Sequence, residues 1–271
     1  MPELPEVVVT LRGVSPHILG KEVDSVTVRE PKLRWPVTQG LPAILAGQLL
    51  LESRQRGKYM LFRFARGHLM VHLGMSGNLR IVTTGTPVGK HDHVDIIFVD
   101  GTVLRYSDPR RFGTIQWLTA PPETHALLSH LGPEPFEEAF SGDYLYLLSR
   151  SRKVPVKQFL MDSKVVVGVG NIYANESLFH AGIRPTLSAG RISRLRYVAL
   201  VEQVKQVLSS AIEQGGTTLR DFVGGDGKPG YFKQQLYVYG RAGEPCLKCQ
   251  ATLKEIRQGQ RSTVYCPDCQ H

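Results

Sequence analysis

The chain has 271 residues, 42% of them hydrophobic, with 33 Lys and Arg against 24 Asp and Glu for a formal net charge of +9. That length suits two domains, or one domain with a smaller appendage, and the apolar content is that of a folded soluble protein. No apolar run approaches the roughly 18 to 20 residues of a membrane span and the N-terminus lacks the pattern of a secretory signal; a cytoplasmic protein is expected, and its basic surplus favours a polyanionic partner such as nucleic acid.

The opening PELPEV leads into an apolar stretch in which Pro5 suits the first turn of a helix running toward Pro16. Removal of Met1 would leave Pro2 as a terminal secondary amine. An α-amino group titrates near about 7.7 to 8.0, so part of it is unprotonated at neutral pH and can attack an anomeric carbon to form a Schiff base. Glu3 and Glu6 lie close enough in sequence to move protons for it. The same residues also read as an ordinary terminus with carboxylates favouring a helix start.

Strand patterning takes over from Lys21 to Leu118. KEVDSVTVRE alternates, KYMLFRF and HLMVHL flank Arg66-Gly67, and DHVDIIFV and TVLRYS flank Asp100-Gly101, a hairpin signal. Such a succession of short strands predicts a sandwich or barrel. Met75 in HLGMSG, and Arg110 with Phe112 in DPRRFG, fall between strands, where they could wedge into a base stack; singly, Met75 and Phe112 read as core residues. In His91-Asp92-His93 two histidines share a strand face, too few for a metal, so a polar edge or DNA contact is the better reading.

LGPEPFEEAF, 131 to 140, breaks the strand rhythm and marks a domain boundary, beyond which the surplus of cations doubles: 18 basic minus 12 acidic residues from 136 onward is +6, against 15 minus 12, or +3, before it. Arg150, Arg152, Lys153 and Lys157 precede a Gly-rich turn entering a helix at Asn171, whose backbone amides favour a phosphate. Ser193 caps a long helix, with Val201, Val204, Leu208, Ala211 and Ile212 on one face, that ends at Gly215-Gly216. VGGDGKPGY, 223 to 231, reads as a loop.

All four cysteines lie near the C-terminus. Cys246-x2-Cys249, sixteen residues, then Cys266-x2-Cys269 is the spacing of a zinc ribbon, with two thiolates per turn around one ion. With all four positions filled, such a zinc is structural. Lys248, Lys254, Arg257 and Arg261 would make the module a phosphate reader.

Taken together, PELPEV, GKY around Lys58, HLGMSG, KHDHVD, DPRRFG, LGPEP, GVGNIYANESLF and the terminal cysteines resemble the formamidopyrimidine-DNA glycosylase family, also called 8-oxoguanine DNA glycosylase, over nearly the whole chain. The resemblance implies an α+β multidomain protein: an N-terminal two-layer β-sandwich (1–133), a helical helix-two-turn-helix domain (134–234) and a zinc-ribbon finger (235–271). It implies a bifunctional glycosylase and abasic-site lyase of base-excision repair, acting on double-stranded DNA that carries oxidised purines or abasic sites, with one structural zinc; a monomer needs no special assumption. Pro2 would be the nucleophile, Glu3 its proton donor, Lys58 the β-elimination residue and Arg261 the δ-elimination residue. Met75, Arg110 and Phe112 would fill the gap left by the everted nucleotide, and His91, Arg152, Lys157 and Asn171 would contact the backbone. Glu6, Thr217 and Tyr231 would line the lesion pocket, under a loop spanning 217 to 231.

The sequence departs from the family pattern at Val8, where a Glu usually follows PELPEV. A non-catalytic zinc-ribbon protein that binds lesions is one alternative, and the sister endonuclease class acting on oxidised pyrimidines is another. Leu4 argues against the latter, which typically opens PEGPE.

Overall fold

A computed structural model describes residues 2–217 and 235–271. Backbone contacts divide the chain into two compact units, one of residues 1–129 with 214–231 and one of 130–213 with 232–271. Met1, Tyr231 and positions 218–231 of the expected loop lie outside the described residues.

The first unit opens with helix α1 (Leu4–Ile18), which has Pro5 in its first turn and continues past the expected stop at Pro16. A proline this late removes a single intrahelical bond, and the helix closes instead through Leu19 N–H donating to Ser15 O. Eight strands follow: β1 (Val23–Val28), β2 (Leu50–Arg56), β3 (Tyr59–Phe64), β4 (Gly67–His72), β5 (Asn78–Thr83), β6 (Asp92–Phe98), β7 (Thr102–Ser107) and β8 (Thr114–Leu118), with the five-residue helix α2 (Leu41–Leu45) between β1 and β2. They form two four-stranded sheets, ordered β1-β6-β7-β5 and β2-β3-β4-β8, every pairing antiparallel.

Alternation along the strands decides what lies between the sheets. Met60, Phe62 and Phe64 of β3 and Leu69 and Val71 of β4 meet Val94, Ile96 and Phe98 of β6 and Leu104 and Tyr106 of β7 in one core, which Val7, Leu11, Val14 and Ile18 of α1 extend. Each such side chain, fully withdrawn from water, stabilises the fold by about 1.5–3 kcal/mol. This is the expected two-layer sandwich.

The second unit holds α3 (Gly142–Ser149), α4 (Val156–Met161), α5 (Asn171–His180) and α6 (Arg194–Glu213), then a hairpin of β9 (Lys254–Gln258) and β10 (Arg261–Tyr265). Ser193 opens α6 as expected, its hydroxyl accepting from Arg196 N–H at 3.4 Å. Between α4 and α5 the chain turns twice, at Asp162, whose carbonyl accepts from Val165 and Val166, and at Gly168, φ +82°. Residues Ile172 to Phe179 of α5 are all buried, so α5 forms the centre of this unit, against α4, α6 and β10. Among the described residues no helix is long and apolar enough to cross a membrane.

Candidate active site and DNA interface

In the first unit the N-terminal residues are drawn into a buried cluster. Pro2, Glu3 and Glu6 are buried, and Glu6 reaches back one turn to accept the Glu3 amide on Oε2 at 2.8 Å. Its other oxygen, Oε1, accepts the Thr217 amide at 2.9 Å, and Gly216 packs so closely that a Cβ there would stand 3.2 Å from that oxygen. Three of the residues expected at the reaction centre and lesion pocket, Glu3, Glu6 and Thr217, are thus joined through one carboxylate. Val8 lies half-buried on α1, two positions beyond Glu6.

Lys58 occupies the tight β2–β3 turn after Gly57 and is half-buried. Sequence reasoning missed its neighbour His72, the last residue of β4. The His72 ring lies 4.7 Å from that of Tyr59, and its Nδ1 accepts the Gly74 amide at 3.0 Å. Burial, reinforced by the charges of Lys58 and Arg34, lowers its pKa to about 4. The ring is therefore neutral at physiological pH, with Nδ1 as acceptor and its proton on Nε2. HLGMSG begins with this histidine, but nothing in the motif places Lys58 or Arg34 beside it.

Met75 is half-buried and Arg110 and Phe112 are exposed, the Arg110 guanidinium carbon 4.9 Å from the centre of the Phe112 ring. Neither Met75 nor Phe112 belongs to the core between the sheets. His91 is exposed just before β6. Its neighbours are committed elsewhere: Asp92 pairs with Arg80 at 2.9 Å and His93 Nε2 bonds to Asp108 O at 2.8 Å.

In the second unit Arg152 is exposed, and Asn171 stands at the first turn of α5 with its Oδ1 buried and unpartnered among the described residues. Lys157 departs from expectation. Rather than facing a DNA backbone it is 1% exposed, its ammonium donating to Ser262 O at 2.9 Å and Thr263 Oγ1 at 2.6 Å. A buried ammonium needs such acceptors to offset its lost hydration; Lys157 fastens the β9–β10 hairpin to α4. Asn175 helps, its Oδ1 accepting Val264 N–H at 3.1 Å. At the hairpin tip Gly259 and Gln260 both have positive φ, 50° and 60°, the primed turn that matches strand twist, and Arg261 follows, exposed.

The four cysteines converge, their sulfurs all within 4.8 Å of one another. Cys246 and Cys269 are 3.9 Å apart and Cys249 and Cys266 3.4 Å, near the edge of about 3.8 Å that a tetrahedron with Zn–S of about 2.3 Å requires. Lys248 N–H points at Cys246 Sγ and Cys269 N–H at Cys266 Sγ, each at 3.4 Å, as turns that stabilise thiolates do. The donor set fits one structural zinc.

Comparison with known proteins accounts for both units. The formamidopyrimidine-DNA glycosylase N-terminal domain matches residues 1–115, the formamidopyrimidine-DNA glycosylase H2TH domain residues 131–223, and the zinc finger found in FPG and IleRS residues 243–271. Formamidopyrimidine-DNA glycosylases of Hahella chejuensis and Pseudomonas aeruginosa (strain LESB58) are 59% and 57% identical, each over 270 residues and the full length of both chains. Among solved structures, the Lactococcus lactis Fpg in complex with an abasic site containing DNA superposes with a TM-score of 0.91 at 31% identity, covering 99% of both chains. MutM (FPG) from Thermus thermophilus superposes at 0.89 and 35% identity, covering 99% of this chain and 98% of its own. The chain belongs to the formamidopyrimidine-DNA glycosylase family.

Proposed function

We propose that this protein excises oxidised purines, 8-oxoguanine and formamidopyrimidines, from duplex DNA and then cleaves the strand at the resulting abasic site. The observation that carries this reading is the Glu6 carboxylate, which ties the N-terminal segment to Thr217 and so holds the proposed nucleophile and the start of the lesion loop in one cluster.

With Met1 removed, the Pro2 nitrogen attacks C1′ of an everted nucleotide, the C1′–N bond breaks, and the base leaves with a proton. Glu3 supplies a proton to the opening sugar, giving an iminium at C1′. That cation acidifies the C2′ protons; loss of one expels the 3′ phosphate, with Lys58 assisting, and a second elimination near Arg261 expels the 5′ phosphate. Extrusion costs a few kcal/mol, less for a damaged pair. Met75, Arg110 and Phe112 fill the vacated space, Arg110 facing the orphaned cytosine, while His91, Arg152 and Asn171 hold the backbone. The zinc keeps the finger folded and takes no part in the reaction.

A cytoplasmic, nucleoid-associated monomer suits this role, with functional domains 1–133, 134–234 and 235–271. Borohydride trapping on a duplex with one 8-oxoguanine opposite cytosine, followed by peptide mapping, tests it: an adduct on Pro2 is expected. A zinc-loaded, correctly processed protein that binds this duplex without forming an adduct is a lesion-binding protein instead.

A further inference from the structure

Asp108 is wholly buried and has no part in the chemistry above. Its carboxylate collects donors from two turns separated by more than thirty positions. Oδ1 accepts the Ser76 hydroxyl at 2.7 Å and the Arg110 amide at 3.3 Å. Oδ2 accepts the Gly113 amide at 2.8 Å and the Tyr106 hydroxyl at 3.1 Å. Ser76 Oγ in turn accepts the Arg110 amide at 3.1 Å. Burial and the Asp108 charge push the Tyr106 phenol up, so it keeps its proton and remains a donor. The main chain of Asp108 adds a third tie, its amide donating to His91 O at 3.0 Å.

The two turns also touch directly. A Cβ on Gly74 would fall 2.4 Å from the Phe112 carbonyl carbon, and one on Gly113 would fall 1.7 Å from the Tyr106 hydroxyl oxygen. Both glycines are needed for this approach, because real Cβ atoms do not come so near. A buried carboxylate with four neutral donors is well satisfied, whereas removing an acceptor strands the donors at a cost each. Neither turn can move without breaking bonds to the other.

We infer that Asp108 is a positioning residue that locks the Met75 turn to the Arg110–Phe112 turn, so that Met75 and Phe112 enter the base stack as one rigid wedge. This rests on the reading that these side chains insert into DNA. It assigns Asp108 no contact with substrate.

A duplex carrying 8-oxoguanine beside 2-aminopurine reports opening of the stack as a rise in fluorescence, and needs binding but no chemistry. Asp108→Asn keeps the side-chain volume while turning an NH2 toward two of the donors. The rise is expected to fall at least about fivefold, the scale of one lost buried hydrogen bond, while duplex affinity, set mainly by phosphate contacts, stays within about twofold. Ser76→Ala, which removes one hydroxyl and leaves the carboxylate, gives a smaller loss of the same kind and decides the matter if Asp108→Asn does not fold. In the native background Met75→Ala with Phe112→Ala is no worse than either alone; in Ser76→Ala the two losses become additive. Additive losses in the native background, or a full rise from folded Ser76→Ala, overturn the proposal. A native protein that opens the stack but never cuts refutes the glycosylase reading alone, and one that opens no stack refutes both.

Discussion

Thr217 donates its amide to Glu6 at 2.9 Å across 211 positions of sequence, and the other oxygen of the same carboxylate holds Glu3. A carboxylate can accept on both sides, which a carboxamide cannot. Glu6→Gln sets an NH2 against one of the two amides, and a mismatched buried hydrogen bond costs about 1–3 kcal/mol. Single-turnover excision should therefore slow at least tenfold with a lowered Tm, while affinity for undamaged duplex is retained. Wild-type excision by Glu6→Gln would show that this bridge does not position the nucleophile.

Lys157 and Arg152, both in the sequence's basic cluster, should separate in salt titrations of DNA binding. Arg152→Ala removes an exposed cation and should lower the slope of log K against log salt by about one. Lys157→Met leaves Ser262 O and Thr263 Oγ1 without their donor and should destabilise the second unit by about 1–3 kcal/mol with the slope unchanged. A shallower slope for Lys157→Met would place its ammonium on a phosphate after all.

Stripping the metal with a strong chelator should release one zinc per chain and abolish DNA binding, because the free energy of metal binding at such sites is folding free energy. The sandwich has its own core, so its thermal transition should survive. Hydrogen exchange that stays slow across residues 243–271 after zinc release would contradict this.

His72 makes a distinct contribution to acid stability. Its folded pKa, lowered to about 4, lies below the unfolded value of about 6.5, so the unfolded chain takes up this proton first. Stability is thus fully present above pH 6.5 and declines as pH falls from 6.5 toward 4. Denaturant melts of His72→Gln across that range should show a shallower decline than wild type; parallel curves would mean that the ring is hydrated.

The zinc site and the strand pairs were legible because each depends on short-range spacing: two CxxC turns, and alternation around Asp100-Gly101. The N-terminal cluster was legible in its residues but not in its geometry, since no local pattern connects Glu6 with Thr217. The burial of Lys157 was not legible, because the acceptors that bury it lie more than a hundred positions away. Asp108 was hidden within DPRRFG, where an aspartate before proline looks like any turn former. In α5, burial on every side erases the helical period, so the inward-facing Asn175 and Glu176 gave no signal.

Glu176 accepts three successive amides, those of Tyr237, Val238 and Tyr239, at 2.8, 3.0 and 2.8 Å, and burial raises its pKa in spite of them. The strand of chain that leads into the finger is therefore received by a helix encoded sixty positions upstream. A graft of residues 243–271 alone would carry the metal ligands but leave this three-amide anchor behind, so a chimera meant to keep the anchor takes residues 237–239 and α5 with it.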